Sequence, residues 1–532
     1  MRDGTLLSAL LIRPRTDVRV PAVVVANGYT GIDPFVLPGL RLIASDGFAV
    51  ILARLRGVPP SEGTAGLYAH FDRDGYDLIE WAAAQPHCDG QVAMVGSSLV
   101  GFSQWQAART APPSLKVIVP DDSLVDPYNV WHTGGMAASP GRLQRKEIGG
   151  AESEYDNAMA HPYFDTFWEE RTITPELAGA IAARGIKILM TAGWDSYLNG
   201  NLKVAAGLND GFAKRQAKLI VGPWTHNMML FPTTIVYETS VSDSIMPRTG
   251  IEYQRAWLNR WLRDEKNGID EEPPVSIWIR GAEQWRFEQS WPLHDQKMHS
   301  LFLSAAPAAS VNSLNDGSLV TTGPEPGVAQ YSFAPATSRG IAAISSANIR
   351  FVDGQLQGAD KEQLPEGLSR SHGRLMSADD LYDRQALTWT SAPLAAAAEI
   401  TGYARAHFWA EVSSADADFV LELLEVGRGE PAILIARAFT RAGHILSNRQ
   451  ATAISPDVVQ PFEIELSPAA HVVPAGRRLM LRIQGAALDP SIDVSWQGPG
   501  LSKAPFTFKI HVDAKRPSVL QLPVIGEALR YA

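Results

Sequence analysis

Up to about residue 265 the chain repeats one pattern: a short, unbroken apolar run, then a segment with helical spacing. The runs are Ala22–Ala26, Phe48–Leu52, Val92–Val95, Val117–Val119, Ile186–Met190 and Leu219–Val221. They are continuous rather than alternating, as strands buried on both faces require. Gly75–Gln85, Leu99–Ala111 and Leu202–Leu208 lie between them with helical spacing. This alternation predicts a parallel sheet covered by helices on both sides. Ile251–Arg263, with Ile251, Ala256, Trp257, Trp261 and Leu262 on one face, is expected as its last layer, the Trp pair in the core.

The rhythm breaks twice. Between residues 125 and 183 there is no convincing strand, and Trp131, Met136, Arg142, Arg145, Tyr163, Phe164, Phe167 and Trp168 accumulate. An insertion of this kind is expected to form a helical cap over the strand ends. Its aromatics suit either core packing or a substrate pocket, since both draw on apolar residues. From about Lys297 the period changes to two: Phe506, Phe508, Ile510 and Val512 alternate with Thr507, Lys509 and His511. Ala404–Val412, Phe419–Leu423, Ile433–Phe439 and Arg478–Ile483 also read as strands separated by turn residues, predicting an all-β sandwich. Pro307–Gly358, rich in Ala, Ser, Gly and Pro, is read as linker and surface loops. The expected units are 1–124 and 184–296 for the sheet domain, 125–183 for the cap and 297–532 for the sandwich. With 532 residues, several units are required, since one core stops growing at about 250–300 residues.

Composition removes several function classes. A net charge of −10 without a basic stripe speaks against nucleic acid. The longest apolar runs fall far short of the roughly 18 residues that cross a bilayer. Cys88 is the only cysteine, so no intrachain disulfide forms; it is read as a small buried residue rather than a nucleophile. No secretory signal pattern opens the chain, and a cytoplasmic protein is expected. The twelve histidines are scattered without metal-ligand spacing, so neither metal nor cofactor is expected.

The chemistry concentrates at Val92-Ala93-Met94-Val95-Gly96-Ser97-Ser98-Leu99-Val100-Gly101, where a buried strand turns directly into a helix. Such a nucleophile elbow holds the Ser98 hydroxyl out at the carboxyl end of the sheet and aims the Leu99 N–H at a developing oxyanion. A serine needs a base, and the base an orienting carboxylate. The run Ile186–Met190 leads into Asp195, and Leu219–Val221 leads into His226, giving the chain order Ser, Asp, His. Separately, Asp195 reads as a turn residue and His226 as an ordinary loop histidine; together, in this order, the three read as a triad. Asp121 or Asp122, past the strand ending at Val119, is the rival acid. Tyr29, in the loop after the first sheet strand, is either a second oxyanion donor or a packed tyrosine.

These residues resemble the cocaine esterase and X-Pro dipeptidyl-peptidase group of hydrolases. The resemblance rests on Gly90–Ala108, Gly222-Pro223-Trp224-Thr225-His226, Arg56-Gly57 with Ser61-Glu62-Gly63, and the Leu387–Leu421 stretch. It implies an α/β-hydrolase domain with a helical cap and a C-terminal jelly roll. It also implies Ser98 as nucleophile, His226 as base, Asp195 as orienting acid, and an oxyanion hole of the Tyr29 hydroxyl and the Leu99 amide. By the same resemblance, Trp131 and Tyr197 fall where the family's esterases line an acyl pocket. Three departures stand out. Asp195 follows Trp194 with no residue between; Arg54 stands where an acid is common, so a structural ion pair is expected to be missing or replaced; and the cap is short. Ser196-Tyr197-Leu198-Asn199-Gly200 carries no acid, against specialisation for α-amino acid esters.

The sequence therefore reads as an acyl hydrolase acting on a small ester or amide through an acyl-enzyme, with no cofactor. Release of N-terminal dipeptides and acyl transfer are the enzymatic alternatives. A binding protein on an inactive hydrolase fold is the non-enzymatic one. Homo-oligomer formation is left open.

Overall fold

The computed structural model describes the chain except residues 32, 138–150, 195, 197, 199, 224–247, 249, 334–349, 353–354, 358–373, 376–385, 416, 428–431, 451–453 and 486–503. Among the described residues its N-terminal half is built on a nine-stranded sheet. The strands are β1 (Ala9–Ile12), β2 (Val20–Asn27), β3 (Ala49–Arg54), β4 (Cys88–Ser98), β5 (Leu115–Ser123), β6 (Lys187–Gly193), β7 (Ala217–Gly222), β8 (Val275–Ile279) and β9 (Gln284–Glu288). They lie in the order β1-β3-β2-β4-β5-β6-β7-β8-β9. The pairs from β3/β2 to β7/β8 are parallel, and only the outer pairs β1/β3 and β8/β9 are antiparallel. The six strands expected from the sequence are β2 to β7. The order reverses between β2 and β4, and a crevice at such a switch point, beyond the strand ends, is where open α/β sheets bind ligands.

The outer strands escape the sequence pattern for physical reasons. The edge strand β1 is largely exposed, so it lacks the continuous apolar signature of its neighbours. The five residues of β8 are buried throughout but include Ser276 and directly follow Pro273-Pro274. The helix expected at 251–263 spans Gly250–Leu262; Trp257 is buried and meets Trp261 edge-on, as core aromatics do. Cys88 opens β4, is fully buried, and its thiol pKa is pushed up by that burial.

Within 125–183 the structure has helices Pro127–Trp131, Ala151–Ala160, Thr166–Glu169 and Pro175–Ala183. Three announce themselves by N-caps: the side chains of Asp126, Asp165 and Thr174 accept from backbone N–H groups of the first turn, and Pro127 and Pro175 follow two of them. A two-residue hairpin pairs His132–Thr133 with Met136–Ala137, where no strand was expected. Trp131, Met136 and Trp168 are buried, with Phe164 and Phe167 packed against the same core as the sheet. Arg142 and Arg145 lie outside the described residues.

The C-terminal half forms a second sheet with its own apolar core. In Phe506–Val512 the four apolar residues are buried and their neighbours are not, the expected period of two. Asp418–Val426 departs from that period, being buried along nearly its whole length. Pro307–Gly358 is a correction. Asn315–Val320 pairs with Phe302–Pro307 and with Leu387–Ser391, and Gly327–Phe333 pairs with Phe506–Val512. Small and polar residues hide these strands from a reading based on apolar runs. The halves are joined at Arg280, whose N–H donates to Ala470 O, whose carbonyl accepts from Val472 N–H, and whose guanidinium donates to Ile435 O. Among the described residues no helix is long and apolar enough to cross a membrane.

Two buried carboxyl groups have their pKa values shifted in opposite directions. Glu422 is fully buried, which alone would raise its pKa, but the guanidinium groups of Arg482 and Arg437 at 2.6 and 2.5 Å outweigh burial and hold it well below 4.5. Glu154, on Ala151–Ala160, is 3% exposed and its Oε2 has no hydrogen-bond partner among the described residues. Burial pushes its pKa above 4.5, against the weaker pull of the Leu67 and Gly66 amides and the Arg171 charge.

Glu422→Gln should cost about 3–5 kcal/mol at neutral pH, because it strips the shared carboxylate from two buried cations. The depressed folded-state pKa means that this contribution is present above about 4.5 and is lost as pH falls toward the folded value. Unfolding in denaturant across this range checks both statements. Glu154→Gln should act with the other sign. A raised folded-state pKa makes the wild-type protein lose stability as pH rises past 4.5. The glutamine variant should escape that loss, being the more stable protein at neutral pH, with the difference closing toward pH 4. A glutamine variant less stable than wild type at pH 7 would contradict this.

Candidate active site

β4 ends at Ser98, and the helix Leu99–Arg109 begins at the next residue. The chain makes this reversal with φ 59° and ψ −121° at Ser98, a conformation that costs a non-glycine residue on the order of 1–3 kcal/mol. Gly96, two residues earlier, has φ 141°, and a Cβ there would stand 2.3 Å from Val100 Cγ1. Only glycine lets the incoming strand pass the first turn of the outgoing helix so closely.

Buried polar side chains that the sequence reading passed over lock this turn. Gln104, fully buried on the helix, donates from Nε2 to Gly96 O at 2.9 Å and Val119 O at 3.1 Å. Its Oε1 accepts from Val119 N–H at 2.8 Å, so one amide ties the helix to β4 and β5. Ser103 Oγ donates toward Val100 O at 2.8 Å and also lies 3.2 Å from Ala26 O, near the end of β2. Leu124 N–H donates to Ser98 O at 3.1 Å. A glutamine inside an apolar helix gives no period-based signal; only its partners reveal the role.

Tyr29 stands just past β2, on the other side of the switch point. Its hydroxyl donates to Ser98 Oγ at 3.0 Å and accepts from Leu99 N–H at 3.4 Å. The three described residues that were expected to share the reaction centre are therefore gathered at one point. Asp195, His226 and Tyr197 lie outside the described residues. The rival acids sit near the carboxyl end of β5: Asp121 accepts from Thr191 Oγ1 on β6, and Asp122, with φ 33°, is approached by Asn201 Nδ2 at 3.5 Å. Trp131 is 2% exposed, and its indole N–H donates to Tyr68 Oη at 3.2 Å.

The loop that carries Tyr68 is strained. Gly66, Leu67 and Tyr68 have φ 60°, 41° and 72°, left-handed values unusual for the last two. Arg171 Nε donates to Leu67 O at 2.9 Å while its guanidinium stacks on Phe167 at 3.8 Å. Gly28, Arg56, Tyr68, Phe71 and Glu154 line a small cavity beside this loop. Arg56 there is held by Asp74 at 2.6 Å and Asp3 at 2.8 Å, which raise its pKa against burial. At Arg54, where a structural ion pair was expected to be missing or replaced, the guanidinium pairs with Asp33. Burial lowers the His132 pKa to about 4, and its Nε2 is bonded to Ala158 O at 3.0 Å.

Comparison with known proteins agrees with this architecture. Residues 3–156 match the model of the X-Pro dipeptidyl-peptidase (S15 family), and residues 267–521 match that of the X-Pro dipeptidyl-peptidase C-terminal non-catalytic domain. The chain is 25% identical to cocaine esterase of Rhodococcus sp. (strain MB1 Bresler), over 99% of this chain and 97% of that protein. An aminopeptidase from a marine sediment Thaumarchaeota archaeon has a similar fold, with TM-score 0.75 and 18% identity over 99% of this chain and 95% of that one. A CocE/NonD family hydrolase of Staphylococcus aureus aligns with TM-score 0.68 and 18% identity over 99% of this chain and 92% of that one. With the strand-to-helix serine and both halves of its architecture accounted for, the chain belongs to the cocaine esterase and X-Pro dipeptidyl-peptidase family of serine hydrolases.

Proposed function

We propose that the chain hydrolyses a small carboxylic ester through an acyl-enzyme on Ser98. The observation that carries this reading is the meeting of three groups. The Ser98 hydroxyl, held by a strained backbone, lies 3.0 Å from the Tyr29 hydroxyl, which in turn lies 3.4 Å from the Leu99 amide. In the mechanism, Ser98 Oγ attacks the acyl carbon as its proton passes to His226, oriented by Asp195. The Tyr29 O–H turns from Ser98 to the developing oxyanion, joined by the Leu99 N–H at the positive end of its helix. His226 then returns the proton to the departing alcohol. Water, deprotonated by the same base, releases the acid. Neither metal nor cofactor is needed for these steps.

In this proposal Trp131 and Tyr197 wall the acyl side and 125–183 forms the cap. The sheet domain spans 1–124 and 184–296, and 297–532 is a jelly-roll sandwich. An ester is preferred to an amide because cocaine esterase, 25% identical over 99% of this chain, is named an esterase. A cytoplasmic location fits a single, buried cysteine, and the net charge of −10 speaks against a nucleic-acid partner.

Ser98→Ala should keep its fold and lose on the order of 10⁴-fold or more in kcat on p-nitrophenyl esters. Retained turnover in that variant would end the proposal. Asp195→Asn should also lower kcat steeply at neutral pH, by an amount comparable to or somewhat below that for His226→Ala, since triad members act as a unit. If Asp195→Asn instead keeps near-normal kcat in its folded fraction while Asp121→Asn or Asp122→Asn loses it, the orienting acid has been misassigned.

A further inference from the structure

Tyr29 sits in a loop, yet an oxyanion donor has to be held within about 0.5 Å of its productive place. The structure shows what holds its backbone. Tyr29 N–H donates to Asn27 Oδ1 at 2.9 Å, and Asn27 Nδ2 donates to Tyr29 O at 3.0 Å. One carboxamide thus closes on both polar ends of the tyrosine's main chain. Asn27 is itself fixed as the last residue of β2. It is 1% exposed, lies opposite Arg54 in the parallel ladder, and accepts from Leu55 N–H at 2.8 Å through its carbonyl. Between the two, Gly28 lets Leu99 approach: a Cβ there would meet Leu99 Cδ2 at 2.7 Å. The loop is therefore pinned to the sheet on one side and fitted against the nucleophile's helix on the other.

We infer that Asn27 is the positioning residue of the oxyanion hole: by clamping the Tyr29 main chain it sets where the phenol hydroxyl stands relative to Ser98 and Leu99. The inference rests on the proposed role of Tyr29. Side chains with a neutral donor and acceptor on one planar group are few, and glutamine is one methylene too long for the turn. Aspartate would bring a buried charge and face Tyr29 O with a second acceptor. Serine can accept from Tyr29 N–H in a similar turn but cannot span to Tyr29 O.

The test is a double-mutant cycle on p-nitrophenyl acetate with wild type, Asn27→Ala, Tyr29→Phe and the double variant, each checked for a cooperative unfolding transition. Tyr29→Phe should lower kcat by roughly 10²–10³. Asn27→Ala should lower kcat by roughly 10-fold or more, with KM changed by less than about threefold, because the misplaced hydroxyl is felt mainly in the transition state. The double variant should be no worse than Tyr29→Phe within about threefold, since a clamp has nothing to position once the hydroxyl is gone. Asn27→Ser, which keeps one of the two bonds, should fall between wild type and Asn27→Ala. If Asn27→Ala does not fold, Asn27→Ser in both Tyr29 backgrounds carries the same comparison. Losses that multiply in the double variant, or that appear only in KM, would overturn the inference while leaving the oxyanion role of Tyr29 intact. An unchanged kcat in Tyr29→Phe would remove that role and the inference with it.

Discussion

The reversal of the chain at Ser98 is the constraint on which the site depends. A buried parallel strand delivers a residue to the carboxyl edge of the sheet, and a helix leaves at once in the opposite direction. The geometry demands a positive φ at Ser98 and a missing side chain at Gly96. Nothing in the turn itself favours that backbone. It persists because the surroundings over-determine it: Gln104 bonds to two strands, Ser103 reaches a third, and Leu124 caps the Ser98 carbonyl. The strain is stored at the residue that carries the oriented hydroxyl, and the surrounding apolar core holds it there.

Much of this was legible in the sequence because burial on both faces leaves a continuous apolar run. The six inner strands and the helix after Ser98 carry that mark, and the elbow could be placed between them. Where burial is one-sided or the residues are small, the mark fades. β1 lies exposed at an edge, β8 is short and follows two prolines, and Asn315–Val320 and Gly327–Phe333 use Gly, Ser, Asn and Gln in paired strands. The candidate site shows the same division. Ser98, Leu99 and Tyr29 follow from their positions after strands, which is a topological argument. Gln104, Asn27, Arg171 and Glu154 act through partners remote in sequence or through hydrogen-bond direction, and composition carries neither. Arg54 illustrates the point: its counter-charge is Asp33, some twenty residues away in sequence.

The region between 125 and 183 is tied to the catalytic half by strain and buried charge as well as by packing. Leu67 and Tyr68 hold left-handed backbones under contacts from Arg171, and Tyr68 meets Trp131. Glu154 is buried with one oxygen unpartnered among the described residues. A segment held this way has well-defined positions for its aromatic side chains.

The central claim is that the hydroxyl at the elbow is the nucleophile. A fluorophosphonate reacts with a serine only where a base activates it and an oxyanion hole receives the phosphoryl oxygen, so a covalent adduct reports the assembled site and not the turn alone. Intact-mass analysis of the labelled protein followed by peptide mapping should find one adduct per chain, on Ser98. An adduct on any other residue, or a hydrolytically active preparation that takes up none, would contradict the account.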